Sequence, residues 1–385
     1  MIDFNKEQKM IQNSIREMVK KEVEPRSADI DEKEEYPEDL VTLCDEMGLY
    51  ELVVPEEYGG SNASMSTLCM VIEEISKASP SLASTIFCTN SCLLIFVNSA
   101  TKTQKKVFFD KYYSRKNKII AFAMTEPDSG SDAASLQTFA SSNGDNYIVN
   151  GNKIFITCAP VAQYFLLMAR TKKGNDAKGI SAFMIEKDAP GFSIGTNEHK
   201  MGLRGSPIAE LVFNNAQIPK TSLLGREGEG WVILRNYGNL MRLWGAASMA
   251  LGIAESAIDR AADYAKKRKQ FGKPIATFQG IQFMLADMEI QTKAARSLIY
   301  SVARMHESGK YSMSDIESHV AMAKCFAADT AMKVTTDAVQ IFGGYGYMRS
   351  YPIERMMRDA KGVQIFDGTS QIQKLIVSRS LIGKL

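Results

Sequence analysis

The sequence predicts an α+β fold in which a middle β domain is held between two helical regions. Three observations predict it. Apolar residues recur at helical spacing through the first third, the helical period disappears between about Ile119 and Leu224, and long helical patterns return from Trp231.

In the first third, Ile11, Ile15, Met18, Val19 and Val23 share one helix face, and Pro25 is expected to break that helix. Leu40, Leu43, Cys44 and Met47 repeat the spacing, Pro55 and Gly59-Gly60 mark a loop, and Met65 to Ile75 reads as a further helix. Ala78 to Thr101 carries no charged residue and is long enough to span a bilayer. Its hydroxyl and amide side chains, from Ser79 and Ser81 through Asn90 and Ser91 to Thr101, make a lipid-facing helix costly. A helix buried inside the protein, of the kind that lines pockets, is expected instead.

In the middle third, Ile119 to Met124 is a short apolar run ending at Thr125-Glu126-Pro127. Tyr147-Ile148-Val149 and Ile154-Phe155-Ile156 flank Asn150-Gly151, which reads as a β-hairpin with a tight primed turn. Tyr164 to Ala169, Ile180 to Ile185 and Leu211 to Phe213 read as strands, and Asp188-Ala189-Pro190-Gly191 as a turn. In the last third, Trp231 to Lys269 is interrupted mainly by Gly238, Gly245 and Gly252. Ile316, Val320, Ala323, Ala327, Ala331, Val334 and Ala338 then lie on one helix face. The expected domains are 1–118, 119–228 and 229–385.

Composition narrows the function. With 45% apolar and 23% charged residues over 385 positions, the chain is ordinary globular protein. A net charge of +2 gives no nucleic-acid surface and no polybasic membrane surface. The densest basic run, Lys102 to Lys118, reads as a solvated helix face. Of six cysteines only Cys88 and Cys92 are close, and the scattered His199, His306 and His319 complete no metal set. Met1–Asp3 runs straight into a charged segment with no secretory signal, so reduced cysteines and a cytoplasmic location are expected.

Five segments carry chemistry, and each has a plainer reading beside it. Ala123 to Ser135 (AMTEPDSGSDAAS) is a strand end followed by a loop of small residues, able to offer N–H groups and hydroxyls to a ligand edge or to serve as a surface turn. Phe155-Ile156-Thr157 offers a ring wall and a hydroxyl, or simply core. Arg268 to Pro274 (RKQFGKP) ends a helix with a cationic fork suited to phosphate, or with a basic terminus favoured by the helix dipole. Gln340 to Tyr347 (QIFGGYGY) closes a helix with glycines that permit close approach, or a C-cap. Ile365 to Gln373 (IFDGTSQIQ) holds a lone acid in an apolar run: Asp367 is either an N-cap residue or a desolvated carboxylate suited to act as a general base.

In this order, these segments resemble the acyl-CoA dehydrogenase family over essentially the whole chain. Ala123 to Ser135 is similar to one signature of that family in full, and Gln340 to Asp359 to a second, with Ser350 where an acid is usual. The resemblance implies an N-terminal helical domain, a middle β-barrel-like domain and a C-terminal four-helix bundle. It also implies FAD, a homotetramer, and an electron-transferring flavoprotein as partner.

The same resemblance assigns residues. Phe122, Met124 and Thr125 are expected at the isoalloxazine ring, Gly130 and Ser131 beside FAD and the CoA arm, and Phe155 and Thr157 flanking the ring. Arg268, Phe271 and Gln279 are expected to reach the FAD of a neighbouring subunit, Gln340 and Gly344 its adenosine half, and Thr369 and Gln371 its pyrophosphate. Arg242, Asp367 and Gly368 are expected at the substrate, with Phe87, Asn90, Ser91 and Leu94 as candidates for the acyl pocket.

The implied reaction is α,β-dehydrogenation of an acyl-CoA thioester: a base removes the α proton and a hydride passes from Cβ to flavin N5. The base position departs from the family, because Asp367 stands where Glu is usual and Met241 stands where a subset carries Glu. Three readings follow. The substrate α carbon lies closer, as in a short, branched or alicyclic acyl group such as cyclohexanecarboxyl-CoA; the enzyme runs as an enoyl-CoA reductase; or another acid acts. Rival classes are an acyl-CoA oxidase and a flavin-free, non-catalytic binding subunit.

Overall fold

The computed structural model describes residues 4–174 and 176–383, so Met1–Asp3 lies outside the described residues. The helix α1 (Lys6–Met18) opens with a capping box between Asn5 and Gln8. Pro25 does not end the pattern as expected. The chain passes through a wide turn, Val19–Val23, and a tight one, Glu24–Arg26, directly into α2 (Ser27–Lys33). Pro25 occupies the first turn of the tight segment, where its missing N–H leaves no bond unmade.

The helices α3 (Glu38–Glu46), α4 (Met65–Ser76), α5 (Pro80–Ser99) and α6 (Lys102–Ser114) follow. Among the described residues α5 is the one helix long and apolar enough to cross a bilayer, and it is buried within the protein. Its polar side chains tie it to its surroundings. The Gly205 N–H donates to Ser81 Oγ, Tyr50 and Thr85 share a hydroxyl bond of 2.8 Å, and the Ile120 N–H donates to Thr89 Oγ1. Buried polar groups paired in this way cost little and fix one orientation of the helix, and Ser91 Oγ and Ser99 Oγ are the α5 side chains left buried without a partner among the described residues.

Apart from a short antiparallel pair at Lys269–Gln270 and Lys273–Pro274, the strands are β1 (Ile120–Ala123), β2 (Phe139–Asn143), β3 (Asn146–Thr157), β4 (Tyr164–Arg170), β5 (Ile180–Glu186), β6 (Phe192–Asn197), β7 (Ile208–Pro219) and β8 (Leu223–Leu224). They form one sheet in the order β6-β7-β3-β2-β4-β5-β8, with β1 parallel to β4. The expected hairpin at Asn150-Gly151 is not there. Asn146 to Thr157 is one continuous strand, and Gly151 (φ 142°) sits at a register shift against β7. The tight turn lies seven residues earlier, where Asn143 pairs with Asn146 and Gly144 takes φ 54°. Asn-Gly supports a turn or a bulge equally well, and pairing of β3 with β7 decides between them.

After β8 come α7 (Gly230–Tyr237), a tight turn at Gly238–Leu240 and a π-helical segment at Arg242–Ala247. The helices α8 (Ser248–Lys267), α9 (Gln279–Glu307), α10 (Met313–Phe342), α11 (Ile353–Val363) and α12 (Ser370–Ile382) complete the chain. The helix α10 packs against α8, α9, α11 and α12, while α4 docks on α8 and α9. An ionic network locks that junction. Arg296 of α9 holds Glu73 of α4 and Glu255 of α8, and Lys77 reaches Glu74 and Glu255, each at 3.1 Å. The result for function is that α5 is pinned with one side on β1 and the other on α7 and α8.

Candidate active site

The loop from Ile365 to Thr369 joins α11 to α12, and its backbone is sharply turned. Asp367 and Gly368 take consecutive left-handed conformations, φ 55° and 89°. Asp tolerates this region better than most residues, and glycine is required next to it: a Cβ on Gly368 would lie 2.6 Å from Gln373 Nε2. Asp367 is not the helix cap. That role belongs to Thr369, whose side chain accepts from the Ile372 N–H.

The carbonyls of this turn are tied down from behind. Arg242 Nε donates to Asp367 O at 2.9 Å, Lys324 Nζ to Gly368 O at 2.8 Å, and Gln373 Nε2 to Gly368 O at 2.9 Å. Neither cation pairs with the Asp367 carboxylate. Asp367 as a residue is partly accessible, yet its Oδ2 has no solvent contact and no hydrogen-bond partner. Burial pushes the carboxyl up to about 6, against the pull of Lys324 and Arg242. The Asp367 N–H likewise has no acceptor among the described residues. A basic carboxylate and a free N–H thus share one residue, and this pair can take a proton and bind a developing negative charge.

Arg242 opens the π-helical segment, a form of helix often found at functional sites. Phe87 of α5 is the reason a glycine stands one turn later, because a Cβ at Gly245 would run into the Phe87 ring. That ring also meets Trp244 edge-on, with centroids 5.4 Å apart. One turn along α5 from Phe87, Ser91 Oγ is buried without a partner, as is Trp244 Nε1. Met241 is buried beside Arg242 and offers no acid. Asn90, by contrast, spends its side chain on Val53 N, Leu49 O and Ile86 O, so it is a structural tie and not a free pocket group. Leu94 is half-buried further along α5.

A second face is built where β1 and β3 end. Phe122, Met124, Thr125 and Thr157 are half-buried, and Gly130 and Ser131 are exposed. Phe155 has φ 56° and is 62% exposed, so a large ring is held out of the core on a left-handed backbone. Beneath this face the fully buried Lys153 donates to Met124 O at 2.9 Å and to Glu126 Oε1 at 2.7 Å. Glu126 also accepts from the Gln137 and Thr138 N–H groups. Burial lowers Lys153 to about 8 despite Glu126, while the ammonium and these N–H donors keep Glu126 below the usual carboxylate range. Cys88 links the two faces: its thiol approaches Thr157 O at 3.9 Å and lies within electrostatic reach of Asp367.

A third group lies apart. Arg268 stacks over the Tyr345 ring at 5.3 Å, which brings the Arg268–Pro274 and Gln340–Tyr347 segments together. Phe271 is 92% exposed with φ 52°, and Gln279, Gln340, Gly344 and Gln371 are exposed. No hydrogen bond or ring contact joins these residues to the Met124–Phe155 face among the described residues. The outward rings of Phe155 and Phe271 and the open Gly130 and Gly344 therefore lie on separate surfaces of the chain.

Sequence reasoning missed Lys324, Lys153, Glu126, Gln373 and Cys88. The signal for the two lysines was periodicity. Lys324 follows Val320 at i+4 and precedes Ala327 and Ala328 on the buried side of α10, and Lys153 falls on the inward positions that include Tyr147 and Val149.

Models of the acyl-CoA dehydrogenase N-terminal, middle and C-terminal domains match residues 5–116, 121–216 and 228–382. An acyl-CoA dehydrogenase of Bacillus subtilis is 42% identical over 381 residues, covering 98% of each chain. A cyclohex-1-ene-1-carbonyl-CoA dehydrogenase of Syntrophus aciditrophicus is 40% identical over 382 residues, covering 99% of this chain and 91% of that one. The solved butyryl-CoA dehydrogenase of Megasphaera elsdenii superposes with a TM-score of 0.94 at 37% identity, covering 99% of this chain and 100% of that one. With all three domains matched in order around a buried carboxylate, the chain belongs to the acyl-CoA dehydrogenase family and is an FAD-dependent oxidoreductase acting on acyl-CoA thioesters.

Proposed function

We propose that this enzyme dehydrogenates a short, branched or alicyclic acyl-CoA, with Asp367 as the base that removes the α proton. The observation that carries this reading is the unpartnered Asp367 Oδ2, buried within reach of two cations that are both engaged elsewhere. Such a carboxylate is charged at neutral pH and still basic enough to take a proton. Asp is one methylene shorter than Glu, about 1.5 Å, and a misplacement near 1 Å can cost about a hundredfold in rate. A compact substrate that brings its α carbon toward the loop removes that deficit. Phe87 and Trp244, packed edge-on against each other beside the Arg242 segment, suit the same choice if these rings bound the acyl pocket.

Bound FAD supplies the acceptor for the β-hydride. The chain's own residues do the rest. Arg242, Lys324 and Gln373 hold the Asp367-Gly368 turn, and the free Asp367 N–H faces the charge that develops on the thioester oxygen as the α proton leaves. The exposed Phe155, the half-buried Phe122, Met124, Thr125 and Thr157, and the open Gly130 and Ser131 fit the ring and the CoA arm. Arg268, Phe271, Gln279, Gln340, Gly344, Thr369 and Gln371 fit the rest of FAD in a site shared between subunits. Phe283 and Ile290, seven residues apart on α9 and 60% and 66% exposed, suit burial against a second copy in a homotetramer. The domain division 1–118, 119–228 and 229–385 and an electron-transferring flavoprotein as acceptor complete the proposal.

The test is flavin bleaching against linear, branched and alicyclic acyl-CoA thioesters. Fast bleaching by compact branched or cyclic members supports the proposal. Bleaching by long linear thioesters alone would sink the substrate class.

A further inference from the structure

Lys324 is a charged residue with no exposed surface, standing on the alanine-rich buried side of α10. Burying an ammonium costs several kcal/mol unless it is compensated. Its hydrogen bond goes to Gly368 O at 2.8 Å, yet that carbonyl already has a neutral donor, Gln373 Nε2, at 2.9 Å. Satisfying one carbonyl does not account for a buried cation. The carboxylates within its electrostatic reach are Asp367 across the loop and Asp329 on its own helix, and neither forms a direct ion pair with it.

We propose that Lys324 is a positioning residue for α-proton removal: it clamps the Gly368 carbonyl, holds the left-handed turn that presents Asp367, and places a buried positive charge beside that carboxylate. This rests on the reading of Asp367 as the base. The charge works without contact. A direct ion pair would occupy Oδ2 and blunt it as a base, whereas a cation anchored to the next carbonyl acts through space and leaves Oδ2 free.

Asp367 faces Arg242 from the π-helical segment, Lys324 from α10 and the Cys88 thiol from α5. Lys324 faces Arg242, Asp367, Asp329 and the Cys325 thiol, and Arg242 also feels Glu317. Burial lowers Lys324 to about 8 against the pull of these carboxylates, and burial raises Asp367 to about 6. Between those values both groups are charged.

The experiment measures α-hydrogen exchange of an arylacetyl-CoA thioester in deuterated buffer by proton NMR, on the FAD-loaded enzyme. That thioester has an α hydrogen and no β hydrogen, so proton removal is read without any hydride transfer. Wild type should exchange with a midpoint near pH 6, and Asp367→Asn should not exchange. Retained exchange in Asp367→Asn would remove the base assignment itself. Given that control, Lys324→Met should raise the midpoint by about one pH unit and lower the plateau. Lys324→Arg should restore the midpoint in part. Lys324→Gln keeps a donor and loses the charge, and it is read in the same way should the Met variant not fold. An unmoved midpoint in folded Lys324→Met or Lys324→Gln overturns the proposal and leaves the Asp367 assignment standing.

Discussion

Arg242 Nε donates to the backbone carbonyl of Asp367 at 2.9 Å, while the carboxylate Oδ2 of the same residue has no partner. The guanidinium is anchored on its other side by Asn239 Oδ1 at 2.9 Å, and Asn239 is held in turn by Glu317. Arg242 therefore grips two oxygens with a planar fork, which a lysine cannot do. Arg242→Lys should lose the hold on the turn and keep the charge. The expected outcome is a fall in kcat of about tenfold to a hundredfold, with KM less affected. Steady-state kinetics with the best acyl-CoA substrate check this. A rise in KM of that size with kcat unchanged would place Arg242 in substrate binding only.

Asp367 carries a pH dependence whose sign follows from burial. Its folded value, about 6, lies above that of an ordinary aspartate. Proton uptake by Asp367 below pH 6 removes the base, so kcat/KM should fall about tenfold per pH unit on the acid side. Stability runs the other way. An unfolded aspartate ionises near pH 4, so the folded state is penalised progressively as pH rises from about 4 to about 6, and fully above that. Asp367→Asn should therefore abolish turnover and raise unfolding stability at pH 7.5 by roughly 1–3 kcal/mol, a gain that shrinks to nothing near pH 4. Denaturant titrations at both pH values measure it.

The legibility of this site in the sequence divides along a physical line. Asp367 and the Met124–Ser131 loop were readable because their signals are local, an acid in an apolar run and a loop of small polar residues after a strand, whereas Arg242 was assigned only through the family resemblance. Lys324 was not, because its partner Gly368 lies 44 residues away and only tertiary packing joins them. The hairpin was misplaced for a related reason. Asn-Gly occurs at Asn143-Gly144 and again at Asn150-Gly151, with the same turn chemistry. The long partner β7, which keeps β3 straight through the second pair, is not visible from either. The helical–β–helical order was legible because periodicity over a hundred residues averages out such local ambiguity.

Phe87 offers a test of substrate size. It is buried against Gly245 and Trp244, and truncating a buried Phe to Ala typically costs about 3–5 kcal/mol. Phe87→Leu is the milder change and leaves part of the wall. Both variants should accept longer straight-chain thioesters than wild type, with the larger gain for Ala, and should lose thermal stability in the same order. A bleaching panel of increasing chain length together with thermal melts measures both effects. An unchanged length preference in a folded Phe87→Ala would show that this ring does not bound the acyl pocket.

Lys153 and Glu126 form a buried pair under the Met124–Phe155 face, and the ammonium also holds Met124 O. Removing one member of a buried pair leaves the other charge uncompensated and typically costs about 3–5 kcal/mol. Lys153→Met should therefore destabilise the β domain and loosen FAD, and Lys153→Met with Glu126→Gln should recover much of the stability. The wild-type pair carries its own pH signature. Lys153 loses its proton as pH rises through about 8, which leaves Glu126 charged and without its cation. FAD retention should fall across that interval, measured by the fluorescence of released flavin. The Lys153→Met variant should show weak retention with no step near pH 8. A step that persists in that variant would have to arise from another group, and Lys200 and Lys324, also lowered to about 8, are the residues to replace next.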